Sequence, residues 1–430
     1  MPARASSQLL VQRRQHQMKY VIIHGDGMAD WPCEELGGKT PLEAAHKPNM
    51  DLIATRGTLG LVATIPNGMQ PGSDVGTMTM LGYDPQRYHT GRAPIEAASQ
   101  GISLGPDDVV FRMNLVSLQP GADGLSVMHD FTSGHISSED AAAIVSDIQR
   151  ELAGDGIEFF SGVSYRHLMV WRSGPSGASL TPPHDITGKP VHPYLPAGEG
   201  ADRLNAIMRR SVEILADHSV SYKLRADGKT QATSVWFWGQ GKRPAIPTLK
   251  ERFGVDGSVI SAVDLVNGLG RLAALDVITV PGATGFLDTD YGAKARYGLE
   301  SLKAHDFLLL HIEAPDEAGH MGRPDLKVEA LERIDELILG PMLQELPHLG
   351  DFTLLLMPDH ATPSKLKTHS NEPVPFAMLR SGELAVVTSE DSPTETTRRY
   401  TEAEAVRTNV LISAGHRLIE VLFGANVPAD

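Results

Sequence analysis

Residues 352–360 read FTLLLMPDH, an apolar run that stops at a proline and then presents Asp359 and His360. Two other runs share that shape. Residues 20–26 read YVIIHGD and end at Asp26, while residues 307–320 read FLLLHIEAPDEAGH and carry Asp316 and His320. Short, unbroken apolar runs rich in Leu, Ile and Val mark strands buried on both faces, as in a parallel sheet. Groups at the carboxyl ends of such strands stand where open α/β sheets bind their ligands. Three strand ends from distant parts of the chain each deliver a carboxylate, and two deliver imidazole close behind. That combination points to a metal site, and so to an enzyme.

A third imidazole, His369, lies nine residues beyond His360 in KTHSNEPVPF, a loop held by two prolines. Singly, each of these residues has an ordinary explanation. Asp316 and His320 can pair on one helix face, Asp26 can cap its loop, and His369 can be a solvated loop histidine. Together Asp26, Asp316, His320, Asp359, His360 and His369 supply six N and O donors. One open catalytic ion uses fewer, so two divalent ions are the natural count. The mixture suits Mn²⁺ or Zn²⁺, with Mg²⁺ suited to the more oxygen-rich half. Ser73 sits in PNGMQPGSDVGTMTMLGYDP, where glycine and proline enforce a tight loop. If a helix begins there, Ser73 and Asp74 occupy its N-terminus, a natural anion site. A hydroxyl held against a divalent ion also loses its proton more readily than a free serine.

The chain has 430 residues, enough for two or three domains. The expected fold class is α/β: a mostly parallel sheet flanked by helices, with an inserted smaller α+β domain. Residues 1–17 read as a basic, flexible extension ahead of Met18. Residues 18–95 and 258–430 carry the strand–acid pattern and form a discontinuous domain, and 96–257 form the insertion. Within the first domain, a strand is expected over 19–24 and a helix over PNMDLIATRG, closing at Gly57. Another helix is expected over PDLKVEALERIDELI, with Val328, Leu331, Ile334, Leu337 and Ile338 on one face.

The formal charge of −15 disfavours nucleic acid or an anionic membrane as the main partner. A single cysteine, Cys33, excludes an internal disulfide and fits a reducing cytoplasm. No apolar run reaches the length of about 18 residues that a membrane helix needs.

The motifs HGDGMADWP, LGGKTPLEAAHKPNMD, PGSDVGTMTMLGYDP, TGRAPIEAAS, YRHLMVW, TPPHDITGK, AVDLVNGLG, VPGATGFLDTDY, HIEAPDEAGH and MPDHATP occur in that order along the chain after Met18. In this set the sequence resembles the alkaline phosphatase superfamily, and within it the archaeal-type cofactor-independent phosphoglycerate mutases. The resemblance implies an alkaline-phosphatase-like sheet and interconversion of 3-phosphoglycerate and 2-phosphoglycerate without 2,3-bisphosphoglycerate. It also implies that Ser73 is the nucleophile that becomes phosphorylated. One ion would be held by Asp26, Ser73, Asp359 and His360, and the other by Asp316, His320 and His369. Mn²⁺ is the expected metal, with Mg²⁺, Co²⁺ or Zn²⁺ as alternatives. The inserted domain would be the substrate-binding lid. The candidates for the carboxylate and phosphate of the substrate are Arg92, Arg166, His167, His184, Asp185 and Lys189, since arginine grips both anions bidentately. Two alternatives keep the site and change the use: phosphotransfer on a homoserine-phosphate or phosphonate-related metabolite, or a metal-dependent phosphatase. The chain has no P-loop or kinase glycine-rich motif to serve a nucleotide.

Overall fold

Strand Lys19–Gly25 lies between Phe307–Ile312 and Phe352–Met357 and runs parallel to both. Its residue His24 stands opposite His311 on one side and Met357 on the other. The three central strands therefore end level, and the residues just past them emerge side by side. Among the described residues these strands belong to a sheet of eight, completed outward by Gly257–Ile260 and Asp276–Val277 on one flank. Val374–Arg380, Thr58–Val62 and Leu411–Ile412 complete the other. Among the described residues, Val374–Arg380 is the single antiparallel member. Every residue of Phe307–Ile312 and Phe352–Met357 is buried, which is why these stretches are mostly apolar rather than alternating, with His311 and Thr353 as the exceptions. Each such Leu or Ile stabilises the fold by about 1.5–3 kcal/mol.

The computed structural model describes residues 18–121, 124–384 and 398–427, and the extension expected over 1–17 lies outside them. The chain forms two units, one built from residues up to His89 and from Ile246 onward, the other from Thr90 to Ala245. In the first unit, helix Pro48–Arg56 opens on proline and stops at Gly57. A Cβ on Gly57 would lie 2.0 Å from the Met378 carbonyl, so only glycine lets that helix end lie on the sheet.

The helix expected over 324–338 begins as read, at Pro324, but runs regularly only to Ile334. Asp335–Leu339 then form a π-helical turn before helix Gly340–Leu349. The extra residue in that turn rotates the face. Leu331, Ile334 and Ile338 are buried, but Leu337 is 39% exposed; Lys327 and Asp335, four residues either side of Leu331, are buried on the same face. Asp335 accepts hydrogen bonds from the Met50 amide at 2.7 Å and the Asn49 amide at 3.2 Å, at the start of Pro48–Arg56. A carboxylate placed at a helix N-terminus offsets its own burial.

In the second unit, Val109–Pro120 is the spine of an antiparallel sheet, pairing with Ser126–Asp130, Arg166–Trp171 and Ser234–Lys242, with Ile157–Phe160 beyond. Helices Ser138–Leu152 and Ala201–Ala216 share one core with this sheet. Helix Ala93–Ser99 packs on its other face, against Val110, Leu168 and Val170. Among the described residues, no helix is long and apolar enough to cross a membrane.

Candidate active site

Ser73 is the first residue of helix Ser73–Met80, which follows the tight loop read from the sequence. That helix passes close to the end of Phe352–Met357, because Gly76 has no side chain to hold it off. A Cβ at Gly76 would stand 2.6 Å from the Asp359 carbonyl oxygen. The approach brings Ser73 Oγ to 3.3 Å from His360 Nε2. The same nitrogen lies 3.6 Å from Asp26 Oδ1 and 3.3 Å from Asp359 Oδ2. Both carboxylates are fully buried, and among the described residues neither of these two oxygens has a hydrogen-bond partner. Burial and the neighbouring Asp359, Glu313 and Asp316 carboxylates push Asp26 well above the usual carboxylate range. Leaving such oxygens unsatisfied in the interior is costly, and a cation among them removes the cost. Asp26, Asp359, His360 and Ser73 thus fit a divalent ion.

A second cluster adjoins the first. Asp316 and His320 lie on helix Ala314–His320, and His369 reaches them from the loop after His360. His320 Nε2 is 3.1 Å from Asp316 Oδ2, and His369 Nε2 is 3.5 Å from Asp316 Oδ1. The two imidazoles are aimed from behind: His320 Nδ1 lies 3.1 Å from the Lys367 carbonyl, and His369 Nδ1 lies 3.3 Å from that of Pro71. A carbonyl that takes the Nδ1 proton leaves Nε2 free as a ligand, the arrangement usual for metal-bound histidine. The rings of His360 and His369 are 4.0 Å apart, so the two clusters share a border. The contact with Asp316 raises the His320 pKa to about 9. Burial opposes ionisation of Asp316, but its hydrogen bonds to His320 and His369 outweigh this and hold it well below the usual range.

Behind the carboxylates stand two histidines that were not singled out from the sequence. His311 Nε2 is 2.9 Å from Asp26 Oδ2, and its Nδ1 is 2.8 Å from Ser261 Oγ. His24 Nε2 is 3.2 Å from Asp359 Oδ1. Both rings are fully buried, and burial lowers His311 to about 4, so it is neutral at ordinary pH. Lys294, lowered to about 8 chiefly by burial, donates to the His311 carbonyl at 3.0 Å. The signal available was register: His24 and His311 are the polar interruptions at matching positions of two apolar runs.

A family described as 2,3-bisphosphoglycerate-independent phosphoglycerate mutase matches residues 54–221. Over 405 residues the chain is 47% identical to a protein of Geobacter sulfurreducens named probable 2,3-bisphosphoglycerate-independent phosphoglycerate mutase, covering 94% of this chain and 99% of that one. The chain belongs to this family. A Methanothrix thermoacetophila phosphoglycerate mutase of the same kind is 49% identical over 366 residues, covering 85% of this chain and 91% of its own. The solved cofactor-independent phosphoglycerate mutase of Thermoplasma acidophilum superposes with a TM-score of 0.64 at 26% identity, covering 94% of this chain and 99% of that one.

A phosphoglycerate mutase also needs groups for a carboxylate and a phosphate, and the remaining candidates all lie in the second unit. Arg166 and His167 are adjacent on one strand and therefore point to opposite faces. Arg166 is exposed, near Tyr165. His167 is 2% exposed, accepts a hydrogen bond from the Gly162 amide at 3.0 Å, and is lowered by burial to about 3. It is a neutral core residue and does not join the arginines. Arg92 lies 3.3 Å from Glu96, whose other oxygen is 3.0 Å from Arg112. Arg112 was hidden inside VVFRMNLV, which reads as unbroken core; its guanidinium lies 4.1 Å from the centre of the Trp238 ring. His184 meets the same Trp238 edge-on at 5.2 Å. Asp185 and Lys189 are exposed, and Lys189 Nζ donates to the Asp185 carbonyl at 2.9 Å.

Proposed function

We propose that this protein interconverts 3-phosphoglycerate and 2-phosphoglycerate through a phosphorylated Ser73 at a two-metal site. The observation that carries the reading is the placing of Ser73 Oγ, 3.3 Å from His360 Nε2, beside the two unpartnered oxygens of Asp26 and Asp359. Asp26, Asp359, His360 and Ser73 would hold one ion, and Asp316, His320 and His369 the other. Two divalent ions, with Mn²⁺ favoured by the mixed N and O donors, supply positive charge that eases deprotonation of a serine and neutralises phosphoryl oxygens.

The work of this chain's residues follows from that arrangement. Ser73 Oγ attacks the phosphorus, the glycerate oxygen leaves, and the phosphoryl group rests on Ser73. The other glycerate hydroxyl then attacks the same phosphorus and frees Ser73, so that phosphate returns to the molecule that brought it. The departing oxygen gains a proton and the attacking hydroxyl loses one, which balances the cycle. His311 and His24 keep the Asp26 and Asp359 carboxylates oriented, and His311, lowered by burial to about 4, is uncharged and does not compete with the ions. In the second unit, Arg92, Arg166 and His184, with Arg112, supply donors for the glycerate carboxylate and the phosphate. Water must be kept from phospho-Ser73, since hydrolysis would turn the mutase into a phosphatase.

Ser73→Ala tests the reading. It is expected to abolish isomerisation and phosphoserine formation, seen by mass spectrometry, while fold and metal content persist. Full mutase activity in that variant would refute it.

A further inference from the structure

Lys327 has no counterpart in the reaction just described, yet it is fully buried beneath the site. Its ammonium has three acceptors for its three protons: Asp30 Oδ2 at 2.8 Å, the Gly27 carbonyl at 3.0 Å and the Thr362 carbonyl at 2.6 Å. Gly27 follows Asp26, and Thr362 stands two residues after His360. Lys327 itself rides on helix Pro324–Ile334, directly after the helix that carries Asp316 and His320. One side chain therefore ties together the three segments that bear the metal donors.

The neighbours are shaped to admit it. A Cβ on Gly319 would lie 2.4 Å from the Thr362 carbonyl oxygen and 3.0 Å from Lys327 Nζ. The Thr362 hydroxyl in turn donates to Asp316 Oδ1 at 2.5 Å, so the strand end that Lys327 holds also fixes the carboxylate. Asp30, the counter-charge, accepts from the Ser364 hydroxyl at 2.7 Å and from the Trp31 amide at 2.7 Å. If stabilising the fold were the only requirement, an apolar pair of similar volume would serve as well or better than a buried ion pair. Three carbonyl and carboxylate acceptors arranged around one ammonium serve placement.

We propose that Lys327, through Asp30, Gly27 and Thr362, is a positioning residue that sets the separation of the two metal sites. The inference rests on the two-metal reading above. It is tested in the full-length protein with Lys327→Met combined with Asp30→Asn, which removes both charges and leaves no buried ion alone. Mn²⁺ binding is followed by the resonance of the free ion, and chelated and metal-replete samples are melted beside the parent. Expected are a chelated melting temperature close to the parent's and a loss of Mn²⁺ affinity of about tenfold or more. At saturating Mn²⁺, kcat should fall by about tenfold or more, with KM for phosphoglycerate unchanged. Unchanged Mn²⁺ affinity and kcat in a folded double variant would overturn the proposal. So would a double variant that does not fold, because Lys327 would then be a structural tie only. A parent protein that binds no Mn²⁺ would instead refute the two-metal reading, and this inference with it.

Discussion

The Nε2 atoms of His320 and His369 face each other at 3.0 Å in front of the Asp316 carboxylate. Without a cation between them, one of the two must carry a proton. Asp316 raises His320 to about 9 from its ordinary 6.5. A histidine raised in the folded state stabilises it fully below about pH 6.5 and loses that contribution as pH rises through the folded value. The metal-free protein is therefore expected to lose stability between about pH 6.5 and 9. A bound ion replaces the proton, so the gap in melting temperature between metal-replete and chelated protein should widen across that range. Thermal melts with and without chelator check this, and a gap that narrows with rising pH contradicts it.

Gly76 is expected to tolerate no side chain. Gly76→Ala puts a Cβ 2.6 Å from the Asp359 carbonyl oxygen and forces helix Ser73–Met80 outward, carrying Ser73 with it. Overpacking of this kind costs about 1–3 kcal/mol. A displacement of about 1 Å at a reacting group costs roughly a hundredfold in rate. Denaturant melts and kcat would register both effects, and an Ala variant with parental kcat would show that the contact does not position Ser73.

The adjacent pair Arg166 and His167 should respond in opposite ways. Arg166→Gln is expected to raise KM for phosphoglycerate by about tenfold, the loss of one charged hydrogen bond of about 1.5–3 kcal/mol, with little change in melting temperature. His167→Leu should leave KM alone and act on stability, because the ring is buried and its Nδ1 holds the Gly162 amide. Steady-state kinetics beside thermal melts separate the two, and a KM change confined to His167→Leu would reverse the assignment.

Glu402 offers a second, metal-independent pH effect. Its carboxyl accepts from Thr40 Oγ1 at 2.8 Å and the Asp30 amide at 3.1 Å, and burial raises it from 4.5 to about 7. A carboxyl raised in the folded state contributes stability below about pH 4.5 that is lost as pH climbs through the folded value. Glu402→Gln should therefore flatten the fall in melting temperature between about pH 4.5 and 7 and be the more stable form above it. A variant with the parental pH profile would exclude Glu402 as the source.

Much of the first unit was legible because a strand buried on both faces leaves a continuous apolar run. The polar residue that ends such a run is conspicuous, and so Asp26, Asp316 and Asp359 were found before any pairing was known. The same continuity hid what lies inside the runs. Arg112 occupies one buried position of a strand whose neighbours Val110, Phe111 and Met113 are core, and its compensation comes from Glu96 and Trp238, which no local pattern links to it. Lys327 shares the buried face of its helix with Leu331 and Ile334, where a lysine gives no apolar signal, and the Asp335–Leu339 turn then leaves Leu337 exposed. Hydrophobic periodicity assumes an unbroken pitch and cannot register that step. His167 was misleading for a simpler reason: alternation along a strand says that neighbours face apart, but not which face is the core.

The level ends of the three central strands also bear on how the protein is made. The partners that meet there are remote in the chain: His311 and Asp26 are 285 positions apart, and Ser73 and His360 are 287. One donor set is complete only when the ribosome has passed His360 and the other only at His369, long after the first strand and the entire second unit have been synthesised. A growing chain therefore has no finished pocket with which to capture a metal early. On the proposed two-metal reading, metal uptake would belong to the last stage of assembly, after the sheet has closed, and a polypeptide stalled before that point would emerge without the centre.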